Sequence, residues 1–282
     1  MKIALGTVQW GLDYGIANTN GIPSNDELKE IIYLATQKGI NLYDTAVHYG
    51  TAEKRLGELA PKESNIVTKV GSFTPSNPLE KQLEKSFNNL DRDDIYGCLF
   101  HDSEELLKDT RLWFKLLRYK TEGRVKKIGY SLYEPATMNR LLDKGLLPDI
   151  VQLPYSILDR KFEPYFEFLK QKGVEIHVRS VFLQGLYFKS MEELDSIYDD
   201  LKQSLKAIQL LRKRKNLSVL ELALCYTIQN KFIDYAVLGV ETAQQFEQII
   251  KASKQKLSQK TIEEIKLIQL ENKAMLNPVN WK

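Results

Sequence analysis

Four side chains in the first half of the chain, Asp44, Tyr49, Lys69 and His101, make up a set with acid–base chemistry in it. A phenol titrates at about pH 10, so at neutral pH it is protonated but only weakly acidic. An ammonium beside it favours the phenolate and makes proton donation to a developing alkoxide feasible. A lysine among apolar residues is costly to bury unless paired, and Asp44 is the natural partner for Lys69. An imidazole can hydrogen-bond a carbonyl oxygen and orient it. The set protonates an oxygen and offers no nucleophile, which suits reduction of a carbonyl by a hydride donor. Taken singly, each residue has a plainer role. Asp44 can cap a loop or helix, Tyr49 can pack at the surface, Lys69 can snorkel from a strand end, and His101 can be a core or loop histidine.

What favours the joint reading is where the four fall. Asp44 follows the apolar run Ile40–Tyr43, with Tyr49 in the loop beyond it. Lys69 lies in Ile66–Val70, and His101 ends Ile95–His101. Five more runs read as strands: Ile3–Thr7, Lys127–Ser131, Ile150–Leu153, Val174–Arg179 and Tyr235–Gly239. Helical period separates them. Ser24 caps a helix whose Leu28, Ile31, Ile32 and Ala35 keep to i, i+3, i+4, i+7, and Gly39 stops it. Leu79–Leu90, Trp113–Thr121, Ala136–Leu142 and Tyr165–Gln171 read the same way. Eight strands, each followed by a helical segment, predict an α/β fold with a parallel sheet, closed as a (β/α)8 TIM barrel that leaves no strand edge open. No Pro/Ser-rich linker divides residues 1–282, so a single domain is expected, with a helical insertion at 190–230 between strands seven and eight (Ser190–Asn216 and Ser218–Gln229). In such barrels the active site sits at the C-terminal strand ends, so the four residues are expected to converge at one mouth.

The stretch Gly39-Ile40-Asn41-Leu42-Tyr43-Asp44-Thr45-Ala46, followed by Tyr49-Gly50, Glu53 and Leu56-Gly57, closely resembles the first signature of the aldo-keto reductases. The resemblance runs over essentially the whole chain. Gly6-Thr7 is similar to the family's opening, Gly129-Tyr130-Ser131 to its fifth-strand motif, and Val151-Gln152-Leu153-Pro154-Tyr155 to its sixth. It implies Tyr49 as proton donor, Lys69 as the partner that lowers its pKa, Asp44 as the group holding Lys69, and His101 as the residue positioning the carbonyl. It implies NADP(H), more often than NAD(H), bound without a Rossmann fold; neither GxGxxG nor GxxxxGK[ST] occurs. The implied cofactor site comprises Thr7, Asp44, Ser131, Gln152, Arg179, Ser180, Phe182, Gly185, Gly239, Gln245 and Gln248. Ser131 and Gln152 would bond the carboxamide, and the Ser180–Gly185 loop would cover the pyrophosphate. Trp10 and His48 would line the substrate pocket.

The chain departs from the family pattern at several points. Leu132 replaces a common Asn, and Arg179 stands where an aromatic residue often stacks on the nicotinamide, a task a guanidinium plane can share. The hairpin that often plugs the barrel floor is missing, so something else must cover that end. Members that grip a 2′-phosphate carry Lys or Arg near positions here held by Gly239, Val240, Glu241 and Gln245, the nearest cations being Lys251 and Lys254. NAD(H) is therefore expected to bind at least comparably to NADP(H). The opening Leu-Gly-Thr-Val-Gln-Trp-Gly and the loop Arg-Ser-Val-Phe-Leu-Gln-Gly resemble bacterial reductases often encoded beside surface-polysaccharide genes, which implies a sugar or sugar-derived carbonyl as substrate.

Composition narrows the alternatives. Across 282 residues, 40 Lys+Arg against 37 Asp+Glu leave a formal charge of +3, which argues against a general nucleic-acid or anionic-membrane binder. The run Arg212–Lys215 reads as a solvated helix end. Cys98 and Cys225 are far apart and form no CxxC, which excludes a disulfide framework or Cys-rich zinc site. With no 18-residue apolar run and no signal-like start, the expectation is a cytoplasmic enzyme, monomeric or a small homo-oligomer, whose partner is a small-molecule carbonyl compound. Two rivals stand beside it. A metal-dependent barrel hydrolase using His48, His101, His177 and Asp44 would need HxH or HExxH spacing, which is absent. A non-catalytic relative would keep the cofactor pocket as a sensor or partner protein, and the intact tetrad argues against it.

Overall fold

Eight strands alternate with helices in a computed structural model that describes residues 1–277 and 280–281. They are β1 (Ile3–Gly6), β2 (Leu42–Asp44), β3 (Asn65–Val70), β4 (Ile95–Phe100), β5 (Val125–Ser131), β6 (Ile150–Pro154), β7 (Glu175–Arg179) and β8 (Tyr235–Gly239). All pair in parallel with their neighbours in chain order. β1 returns to β8 through Ala4↔Val237 and Leu5↔Leu238, so the sheet is a closed eight-stranded barrel forming a single domain.

The two-residue period of each strand sorts its side chains. Outward residues such as Leu5, Tyr43, Ile66, Phe100, Tyr130, Leu153 and Val178 join the helices in one continuous core. Inward ones form a small separate cluster, Ala4, Leu42, Val67, Leu99 and Ile150, which fills the barrel at mid-height. The first long helix, Asn25–Gln37, begins where the Ser24 side chain accepts the Glu27 N–H, and buries Leu28, Ile31, Ile32 and Ala35.

Between β7 and β8 the chain differs from the sequence expectation. The helical reading from Ser190 is interrupted: single 3-10 turns at Met191–Glu193 and Ser196–Tyr198 precede the α-helix Asp199–Lys215. Ser190 and Glu193 cap one another reciprocally, and Leu194 then adopts extended backbone, which ends the first turn at once. A second capping box, Ser218 with Glu221, starts the helix Val219–Ile228.

At the N-terminal end of the barrel, the opening halves of β4, β5, β7 and β8 meet through polar contacts. Glu175 accepts hydrogen bonds from the Tyr96 hydroxyl at 2.8 Å and from the Lys127 ammonium, and meets His177 Nε2 at 2.6 Å. The Tyr235 ring packs edge-on against His177 at 5.1 Å. No helix among the described residues is long and apolar enough to cross a membrane.

Candidate active site

The C-terminal ends of β2, β3 and β4 bring the tetrad together. Lys69 is fully buried, and its Nζ donates to Asp44 Oδ1 at 2.5 Å and to the Thr45 carbonyl at 3.0 Å, while reaching the Tyr49 hydroxyl at 3.5 Å. The second carboxylate oxygen of Asp44 accepts from Gln152 Nε2 at 2.7 Å, and the Thr7 hydroxyl donates to the Asp44 carbonyl at 3.0 Å. The His101 ring stands edge-on to Tyr49, with centroids 5.7 Å apart, and nearly parallel to His48 at 6.3 Å. His48 Nε2 lies 3.1 Å from the Gly71 carbonyl.

Tyr49 is carried by a loop clamped on both sides. Val47 N–H donates to the Lys69 carbonyl at 3.0 Å. Gly11 approaches so closely that a Cβ there would lie 1.9 Å from the Tyr49 carbonyl oxygen. The helix that follows, Ala52–Leu59, brings in a buried carboxylate, Glu53, which accepts from Thr68 Oγ1 (2.6 Å), Ser86 Oγ (2.8 Å) and Asn89 Nδ2 (3.2 Å). Glu53 thereby ties the Tyr49 segment to the strand that carries Lys69. In the sequence it is only a letter of a signature, since nothing local indicates its three donors.

Electrostatics assign the protonation states. Burial disfavours the charged form of Lys69, but Asp44 and Tyr49 outweigh it and hold the ammonium above its ordinary value. For Tyr49 burial is the largest effect and lifts the phenol; Lys69 pulls it down, Asp44 pushes it up, Arg179 pulls it down, and the net direction is upward. The expected lowering of the phenol by Lys69 is present but is outweighed by desolvation. Burial first, then Lys69, Arg179 and His48, push His101 down to about 3, so its imidazole is neutral at pH 7 and can offer one ring N–H.

These groups open onto a cavity of about 640 Å³, within the range of small-molecule and cofactor sites. Of the residues expected from the sequence, Thr7, Asp44, His48, Tyr49, His101, Ser131, Gln152, Arg179, Ser180, Phe182, Gly185, Gly239, Gln245 and Gln248 all line it, with Lys69 directly beneath. Trp10 does not. Its ring is buried in the outer core against Tyr43, and its Nε1–H points to the Val240 carbonyl, because the short helix Val8–Gly11 turns it under the barrel rim. The neighbouring Gln9 faces the cavity instead, as do Tyr14, Tyr133 and Phe188, which the sequence reading did not single out. Among the described residues no group of three or more His, Cys, Asp or Glu could hold a metal ion, and His177 belongs to the floor rather than the mouth.

The cavity walls offer a cradle. The Gln9 carboxamide lies so close to Gly239 that a Cβ there would sit 2.2 Å from Nε2, and Gln9 Oε1 is buried without a hydrogen-bond partner. Over the other wall, Ser180, Leu183, Gln184 and Gly185 all take left-handed backbone, with φ of 62°, 46°, 53° and 94°. Arg179 lays its guanidinium over the Tyr133 ring at 4.1 Å and donates to the Leu132 carbonyl at 3.2 Å. Leu132 itself turns its side chain into the core.

Comparison with known proteins agrees with this geometry. A model of the Aldo/keto reductase family matches residues 2–269. The chain is 26% identical to L-galactose dehydrogenase of Arabidopsis thaliana over 277 residues, covering 88% of this chain and 86% of that protein. It is 24% identical to D-threo-aldose 1-dehydrogenase of a Pseudomonas species, covering 81% and 84%. An aldo-keto reductase from Bacillus halodurans, solved in its holo form, superposes with a TM-score of 0.74 at 21% identity over 95% of this chain and 91% of that one, which shows the shared fold. Aldo-keto reductases use nicotinamide dinucleotides. The match across all eight strands means that the chain belongs to the aldo-keto reductase family and is an oxidoreductase of the carbonyl/alcohol type.

Proposed function

We propose that the protein interconverts a sugar or sugar-derived carbonyl compound and its alcohol, with Tyr49 as proton donor and NAD(H) bound at least as well as NADP(H). The observation that carries the reading is the buried Lys69 ammonium lying between Asp44 and the Tyr49 hydroxyl, beside a neutral His101. A dinucleotide fits the residues present: the unpartnered Gln9 Oε1, the close Gly239 wall, and Ser131 and Gln152 beside the tetrad supply polar contacts along the cavity. When bound, it supplies the hydride.

The residues do the rest. His101 donates its ring N–H to the carbonyl oxygen and fixes its orientation. As charge develops on that oxygen, Tyr49 gives it the hydroxyl proton, and Lys69 stabilises the phenolate left behind. Asp44 keeps Lys69 charged, and Gln152 keeps Asp44 turned toward it. In the oxidative direction the phenolate takes the proton back from the alcohol. The names of the sugar-dehydrogenase relatives support the substrate class.

Charge supports the cofactor preference. Beyond the end of β8 the cavity is lined by Glu241, Gln245, Gln248 and Ile249, with the Glu241 N–H bonded to Gln245 Oε1 at 2.9 Å. Arg179 is the one Lys or Arg among the cavity's described lining residues. Lys251 and Lys254 face a separate depression beside Leu34 and Lys38. A charge-assisted phosphate bond is worth roughly 1.5–3 kcal/mol, or about ten- to a hundredfold in affinity, and its loss would erase a preference for NADPH. Fluorescence titration with both reduced dinucleotides tests this. Comparable dissociation constants, or a tighter one for NADH, are expected; a hundredfold preference for NADPH would overturn the assignment.

A further inference from the structure

Resting on that carbonyl-reducing site, we infer that Arg179 gives it a preference for substrates that carry a carboxylate besides the reacting carbonyl. Arg179 is half-buried in the cavity wall, yet makes no ion pair among the described residues. Its two hydrogen bonds are long and go to neutral oxygens, Leu132 O at 3.2 Å and Ser180 Oγ at 3.3 Å, and its plane rests on Tyr133. Asp159, a buried carboxylate in the loop after β6 that Arg179 helps to keep ionised, has Lys161 at 3.8 Å as its nearest cation, forms no ion pair with Arg179, and does not line the cavity.

Around the tetrad charge is already matched, and Glu241, which also lines the cavity, forms no ion pair with Arg179. Lys69 is paired with Asp44, and His101 is neutral. Arg179 is thus an uncompensated cation with donors to spare, close enough to Tyr49 and His101 to act on both electrostatically. A planar guanidinium held against a ring, with its fork unfilled, is the donor geometry that matches a carboxylate. The reacting oxygen must sit between Tyr49 and His101, so a carboxylate on Arg179 would belong to the same small molecule as the carbonyl. The other anion available in this cavity is a phosphate of the dinucleotide, and the experiment separates the two.

kcat/KM is measured for two matched pairs, D-glucuronate against D-glucose and succinic semialdehyde against butanal, in wild type, Arg179→Gln and Arg179→Lys. Binding of the unreactive succinate and succinamide to the protein–NADH complex is measured alongside, with NADH affinity determined for each variant. Wild type is expected to favour the acid of each pair by about 10- to 100-fold, the size of a charge-assisted bond. Arg179→Gln should bring the ratio near one and abolish the preference for succinate over succinamide, while Arg179→Lys retains part of both. Equal handling of acid and neutral partners by wild type would overturn the inference. So would a ratio unchanged in Arg179→Gln, including the case in which NADH affinity falls tenfold instead and the guanidinium serves the dinucleotide. If no carbonyl compound turns over while succinate binding still depends on Arg179, the reductase reading fails and the carboxylate site stands.

Discussion

Tyr49 is held protonated because desolvation outweighs the lysine beside it, which is the state a proton donor requires before the reaction begins. In the proposed role, the phenolate left after proton transfer would find Lys69 3.5 Å away and already fixed by Asp44. Tyr49→Phe removes the proton but keeps the ring that packs beside His101. The variant should therefore bind dinucleotide as wild type does and lose about 10²- to 10⁴-fold in carbonyl reduction, the usual contribution of a positioned general acid. Steady-state rates on any accepted aldehyde, with NADH titrations alongside, check it; near wild-type turnover would remove Tyr49 from the role. The tetrad was legible in the sequence because each member ends, or closely follows, a run whose strand character was plain. Trp10 was not, because an aromatic residue just past a strand reads the same whether it enters the mouth or tucks beneath the rim. The short helix Val8–Gly11 decides it, presenting Gln9 to the cavity and Trp10 to the core.

Among the elements, the segment after β7 carries the most local conflict. Three non-glycine residues there, Ser180, Leu183 and Gln184, adopt left-handed backbone, which costs each about 1 kcal/mol or more. Such a conformation persists only where the surroundings enforce it, and here the segment rests on the loop containing Ala17. Gly185 is where the two touch: its φ is 94°, and an added Cβ would lie 2.5 Å from the Ala17 Cβ. Gly185→Ala should therefore destabilise the protein by about 1–3 kcal/mol, seen as a melting temperature several degrees lower. By shifting a cavity wall it should also weaken NADH binding. Thermal unfolding followed by circular dichroism, and a dinucleotide titration, test the two effects; an unchanged melting temperature would mean that the loops separate without cost. The strands were legible to within a residue or two because β-branched and aromatic runs bounded by glycine have few other readings. The unequal insertion before β8 was not, since Ser190–Asn216 has helical composition throughout and the reciprocal Ser190–Glu193 caps that end its first turn are a detail of backbone geometry.

Across the whole molecule, the barrel holds a buried lysine–carboxylate pair at the mouth and a partly exposed one at the floor, separated by the apolar layer of Ala4, Leu42, Val67, Leu99 and Ile150. The mouth opens onto the cavity, whereas the floor pair lies outside the residues that line it. That floor is assembled from β4, β5, β7 and β8, whose contributing residues lie far apart in the chain, so no local pattern announced it. At its centre is Glu175. Burial pushes its carboxyl up, but His177, Lys127 and Tyr96 outweigh burial and bring it down to about 2. Unfolded, a glutamate titrates at about 4.3, so between that value and about 2 the unfolded chain binds more protons and folding stability rises with pH. The contribution is fully present above about pH 4.5 and is lost as the pH falls toward 2. Glu175→Gln should therefore cost about 2–3 kcal/mol at pH 7, where it leaves Lys127 without its carboxylate, and about half of that at pH 3. Because the apolar layer isolates the floor from the mouth, kcat should be unchanged in the folded variant. Urea unfolding of wild type and Glu175→Gln at pH 7 and pH 3 measures the difference. An equal loss at both values would mean that Glu175 stabilises the floor by shape and packing rather than by its charge.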